Sequence, residues 1–215
     1  MNSFVIRVWL PDRPGALGQV ASRIGAVRGD VVGIEILERG GGSAIDELIV
    51  ALPDDVTREL LVAEIGQVDG VAIEDVRRID SDRPDAAMYA LEISAALVEA
   101  EPWACLALFC ERLRSLVDGS WVIAVRDDDP VVLVEQGPTP DHAWIGAFVA
   151  GTSHLAPGDF GPSAPGDVVW ANLKVSGIAV ASGRSDRPFH TRDRIQVALL
   201  GRVADGVLSA ALDRT

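Results

Sequence analysis

Phe4-Val-Ile-Arg-Val-Trp-Leu-Pro-Asp-Arg-Pro-Gly-Ala-Leu-Gly-Gln-Val-Ala21 decides the fold of the first part of the chain. Phe4, Ile6, Val8 and Leu10 alternate with Val5, Arg7 and Trp9, which is the period of a strand. The alternation stops at Pro11-Asp12-Arg13-Pro14-Gly15, and Leu17, Val20, Ala21, Ile24 and Val27 then follow at helical spacing. A strand passes into a helix within five residues, two of them proline and one glycine.

Working outward, Gly29 closes that helix, and Val31–Glu38 and Ala44–Leu52 read as strands joined by Gly40-Gly41-Gly42 as a hairpin. Asp54, Asp55 and Thr57 are helix-start residues for a second helix carrying Leu61, Ile65 and Val68, and Val71–Ile79 is a fourth strand. The order β-α-β-β-α-β is the ferredoxin-like arrangement. Two helices on one sheet face leave the other open, with Arg7, Trp9, Glu35 and Glu47 on or near it, and the edge strands available for dimerisation.

The segment Pro11-Asp12-Arg13-Pro14-Gly15-Ala16-Leu17, with Gly29-Asp30-Val31-Val32 leading the second strand, resembles the start of an ACT domain over residues 3 to 79. The resemblance implies a regulatory module that binds an amino acid or related acid at the loop between first strand and first helix, between subunits or paired modules. It implies a ligand site at Asp12, Arg13, Pro14, Gly15, Ala16 and Leu17, with Asp30 and Val31 behind them. Gly15 lets a ligand approach the backbone, and the first helical N–H groups suit a carboxylate. Asp12 is placed either to hold a ligand ammonium group or to cap the helix. The same Pro-Gly pair also serves as a plain strand-to-helix turn. Amino-acid-binding members often carry polar residues where Leu10 and Val31 stand here, so the ligand is more apolar or the module has kept its shape without one.

Asp80-Ser-Asp-Arg-Pro-Asp85 marks a boundary, giving domains at 1–80 and 87–215 with a linker at 81–86. Beyond it, Met88, Leu91, Ala95 and Val98 form one helical stripe, and Pro102 opens a helix carrying Cys105, Leu106, Phe109, Leu113 and Leu116. Strands follow at Trp121–Arg126, Val131–Glu135, Ala143–Ala150, Val168–Leu173 and Gly177–Gly183, with a Pro- and Gly-rich loop at 154–167. A final helix, capped by Thr191, carries Ile195, Leu199, Val203 and Leu208. This is an α+β domain, an antiparallel sheet with helices on one face. Gly183-Arg184, Arg187-Pro188-Phe189 and Arg192-Asp193 resemble the end of a GAF domain, which implies a small-ligand pocket on a sheet face and pairing through the terminal helices.

The net charge of −13 disfavours nucleic acid and anionic membrane surfaces. With 48% hydrophobic residues, part of the surface is expected to be buried between subunits of a homodimer or against a protein partner. The first residues read as a strand rather than a signal peptide, no apolar run is long enough to span a bilayer, and Cys105 and Cys110 read as buried thiols, so a cytoplasmic setting is expected. His142, His154 and His190 lack ligand spacing, Asp127–Asp129 reads as a solvated turn, and Cys110 with His154 makes a nucleophile pair only if the fold unites them. No metal, cofactor or catalytic residue is expected. Trp121, Trp144 and Trp170 read as core or interface residues.

Overall fold

The structure, a computed structural model, describes residues 1–80, 85–127, 131–152 and 166–212. The chain divides into two compact units, 1–85 and 86–215. Of the proposed linker, residues 81–84 lie outside the described residues, as do Asp128–Pro130 and most of the 154–167 loop.

The first unit is β1 (Asn2–Pro11), α1 (Ala16–Ala26), β2 (Asp30–Gly40), β3 (Ser43–Leu52), α2 (Arg58–Ile65) and β4 (Ala72–Ile79). Its sheet has the order β2-β3-β1-β4, antiparallel throughout, the expected ferredoxin-like fold. Gly41 and Gly42 both have positive φ, 60° and 81°, the requirement of a two-residue hairpin turn whose twist matches its strands. Thr57 caps α2, its hydroxyl accepting from Leu60 N–H at 3.3 Å.

Strand period then sorts the side chains. Phe4, Ile6, Val8 and Leu10 of β1 meet Leu48, Val50 and Leu52 of β3 and Val20, Ile24, Leu61 and Ile65 of the helices in one core. Such alternation fixes register, because a slip of one residue would turn every core residue outward. The opposite face carries charge: Arg7 Nε donates to Glu47 Oε2 at 2.6 Å, and Arg77 joins Glu47 at 3.5 Å and Asp75 at 2.8 Å. Arg7 is itself buried, so this face is not bare as the sequence suggests. The edge strand β2 carries two bulges, where Val32 and Leu37 are the extra residues between paired positions.

The second unit is α3 (Ala86–Glu99), α4 (Cys105–Leu116), β5 (Trp121–Arg126), β6 (Val132–Gln136), α5 (His142–Thr152), β7 (Val168–Leu173), β8 (Ile178–Gly183) and α6 (Thr191–Leu212). Its antiparallel sheet has the order β6-β5-β8-β7. One face packs Val122, Ala124, Val169, Ala171, Leu173 and Val180 against α3, α4 and α6. The other packs Trp121, Ile123, Trp170 and Ala181 against Ile145 and Val149 of α5.

Four sequence expectations are corrected here. Residues 143–150 form helix α5, not a strand, so the sheet has four strands among the described residues and helices on both faces. Asp141 Oδ1 accepts from Ala143 N–H at 2.9 Å and Trp144 N–H at 3.4 Å, starting the helix. Ile145, Val149 and Thr152 then fall at helical spacing on its buried side. Thr191 is the first residue of α6 rather than its cap; Asp193 reaches back to His190 N–H at 2.9 Å. The α4 helix begins at Cys105, three residues after Pro102. Finally, the apolar stripes read on α3 and α6 are not the buried ones, although Leu208 is partly buried. Ile93 and Leu97 are the buried residues of α3, while Met88, Leu91 and Val98 are exposed. Val197, Leu200 and Ala204 are buried on α6, while Ile195, Leu199 and Val203 are exposed.

Arg184 ties the unit together where β8 ends. Its guanidinium donates to Val117 O at 2.6 Å, Arg187 O at 3.2 Å and Pro188 O at 2.9 Å, pairs with Asp193 at 3.4 Å, and lies 3.8 Å over the Phe189 ring. On the helix side, α6 lies so close to β7 that a Cβ at Gly201 would stand 2.4 Å from the Ala171 Cβ. Gly201→Ala is therefore expected to cost about 1–3 kcal/mol in chemical denaturation through overpacking. The double change with Ala171→Gly should recover much of that loss, which a non-local effect would not allow.

Candidate functional site

The loop between β1 and α1 holds the expected site residues. Asp12, Arg13, Pro14 and Gly15 are exposed, Ala16 is buried and Leu17 is half-buried. Asp12 N–H donates to Gly42 O at 2.9 Å, which seats the loop beside the β2–β3 turn. Gly15 occupies the position before α1 with φ 87°, a conformation that costs a side-chain-bearing residue about 1–2 kcal/mol. No side chain caps this helix, so Asp12 is not its cap. Ala16 N–H turns back to Arg13 O at 3.3 Å, and Gln19 N–H begins the helical ladder on Gly15 O at 3.0 Å. The Leu17 and Gly18 N–H groups between them are left open among the described residues, at the positive end of the helix dipole. Such open N–H groups at a helix start carry partial positive charge.

Asp30 and Val31 do not join it within one chain. Val31 pairs with Val50, and Val50 with Phe4, so both lie at the end of the sheet where β1 begins. The loop leaves from the other end, seven residues further along β1, roughly 23 Å away at about 3.3 Å per residue. Leu10, by contrast, is buried beside the loop as an apolar wall.

The sequence reading passed over Asp46. On β3 it pairs with Val8 and Ile36, between the inward-facing Ala44 and Leu48. Parity therefore points it to the helix-covered face with the core. It is 3% exposed, and its Oδ1 has no hydrogen-bond partner. Burial pushes its carboxyl above the ordinary value of 3.8; Arg39 opposes this, and the nearby Asp12 adds to it. The signal was present in Ala44-Ile-Asp-Glu-Leu48, where alternation assigns Glu47 outward and Asp46 inward.

In the second unit the other candidates stay apart. Cys110 is fully buried, and burial pushes its thiol up to about 12, far from a nucleophile's range. His154 lies outside the described residues. Cys105 is also buried and free, its thiol directed at carbonyls of residues 97–101. His142 Nε2 stands 3.2 Å from Glu135 Oε1, and His190 is buried at the start of α6. Among the described residues no group of three or more His, Cys, Asp or Glu is gathered as metal ligands, and no helix is long and apolar enough to cross a membrane. Trp121 and Trp170 are core residues, whereas Trp144 is exposed and stacks on Phe148 at 5.3 Å.

No family model matches the chain, and no curated protein does. Among solved structures, it is similar to an ACT domain protein from Streptococcus pneumoniae, at 17% identity over 46% of this chain and 97% of that one, with a TM-score of 0.31. It is also similar to a formyltetrahydrofolate deformylase from Pseudomonas putida KT2440, at 16% identity over 44% of this chain and only 37% of the deformylase, with a TM-score of 0.32. A protein of unknown role from Galdieria sulphuraria matches over 99% of this chain and 92% of its own, at 12% identity and a TM-score of 0.35.

A carboxylate buried without a partner destabilises the fold, and the neutral isostere should relieve that. Asp46→Asn is expected to raise stability at pH 7 by about 1–3 kcal/mol. The raised folded-state value means the native state holds the proton more tightly than the unfolded chain. Stability is thus lost as pH rises from 3.8 to that raised value, and the advantage of the variant should shrink as pH falls back through the same window. Paired denaturation curves at several pH values measure it.

Proposed function

We propose that this chain is a non-enzymatic, cytoplasmic regulatory protein, an ACT-like module followed by a GAF-like one. It binds a small metabolite, an amino acid or related acid, at the β1–α1 loop and signals through a homodimer or a protein partner. The observation that carries this is the uncapped start of α1. Gly15 presents open N–H groups at an exposed loop and Asp12 is left uncommitted to capping.

Dimerisation is supported by the second unit. Leu91, Ile195, Leu199 and Val203 line an apolar groove of about 420 Å³ between α3 and α6. Met88 and Val98 extend the exposed apolar surface along α3. A second copy presenting the same two helices would cover it as a four-helix contact, the isologous arrangement of most dimers. The same apolar surface favours the second reading, a scaffold whose modules bind protein partners without a metabolite.

Calorimetric titration of the full chain against a panel of amino acids, 2-oxo acids and 2-hydroxy acids separates these. Binding heat and a raised melting temperature with at least one of them are expected, both removed by Gly15→Val, whose side chain does not suit φ 87°. Silence across the panel would sink the metabolite reading. For the dimer, sedimentation should show two copies in the native chain and one in Leu91→Glu with Leu199→Glu, with helical content retained.

A further inference from the structure

We infer that Asp46 is the ammonium-accepting end of the loop site, so that the ligand is an amino acid with an aliphatic side chain rather than a simple acid. The inference rests on the loop reading above and names the ligand class for it. Asp46 is buried on the inner face of β3, its Oδ1 has no partner, and its side chain makes no ion pair or hydrogen bond among the described residues. Buried polar groups are normally satisfied, and a buried carboxylate without a cation is among the most costly exceptions.

Two charges bear on it, in opposite senses. Asp12, at the start of the loop, repels it; Arg39, from the end of β2, attracts it without bonding to it. A cation arriving between Asp46 and Asp12 would be attracted by both carboxylates and would relieve their mutual repulsion. The walls are apolar: Val8 and Ile36 stand opposite Asp46, and on the same face Leu10 lies two residues along β1 toward the loop and Ile34 two residues along β2 the other way. Ile34 and Ile36 are 52% and 39% exposed, so solvent reaches the surroundings of the buried carboxylate on the β2 side. Leu10, puzzling as a lost polar arm, becomes the wall for an aliphatic side chain. The α1 N–H groups take the carboxylate and Asp46 takes the ammonium, so that the molecule must carry both groups close together.

The test uses the full chain at pH 7.5 with L-valine, L-leucine and L-isoleucine, and with the 2-hydroxy acids that replace each ammonium by a hydroxyl. At least one of the amino acids is expected to bind, with its hydroxy acid at least about tenfold weaker. Asp46→Asn should weaken the amino acid by a similar factor and leave the hydroxy acid unchanged. Equal affinity for amino and hydroxy acids overturns the assignment while the loop site stands; this comparison needs no variant and so does not depend on how Asp46→Asn folds. Undiminished amino-acid binding by a folded Asp46→Asn does the same. If amino acids and hydroxy acids alike fail to bind the native chain, the loop reading falls and takes this assignment with it.

Discussion

The two-residue period of β3 is the constraint on which the first unit depends. This strand pairs with β1 on one side and β2 on the other, so its register is held twice. Leu48, Val50 and Leu52 must face the helices, because turning them outward would give up about 1.5–3 kcal/mol of burial for each. Asp46 shares their parity and is carried inward with them. No local preference of an aspartate could reverse this against three buried leucine- and valine-sized side chains. The placement of Asp46 thus follows from the core: the packing that holds the sheet together also holds a carboxylate where water cannot fully serve it.

The second unit shows the opposite situation, in which local pattern underdetermines the fold. Helices α3 and α6 each carry two apolar stripes, and period alone ranks neither. Packing against the sheet selects Ile93 and Leu97 on α3 and Val197, Leu200 and Ala204 on α6, and leaves a second apolar stripe outside on each. An apolar composition of 48% is the overall trace of this surplus. It is visible in the sequence as a total, but its location is not.

How much was legible follows from the same physics. All six elements of the first unit can be read from the sequence, since each has a clean period and a glycine, proline or threonine at its limits. The loop Asp12–Gly15 was legible as a joint, and its glycine as a special conformation. That Asp30 and Val31 lie at the other end of the sheet needed the strand order, which no local pattern contains. Asp46 needed parity applied to a polar residue, where reading habit follows the apolar ones. Residues 143–150 read as a strand because Trp, Ile, Phe and Val suit a pleated surface, yet the single carboxylate of Asp141 and the four-residue spacing of Ile145 and Val149 make a helix.

The two bulges of β2 have a consequence for how copies of this chain meet. A flat outer strand with Val32, Ile34 and Ile36 exposed would template the edge of another molecule, and repetition of that contact would build a filament of sheets. An extra residue at Val32 and another at Leu37 break the spacing of free backbone groups twice within eleven residues. Growth by strand addition is thereby frustrated at the most apolar edge. Any association is left to surfaces made of side chains rather than of backbone.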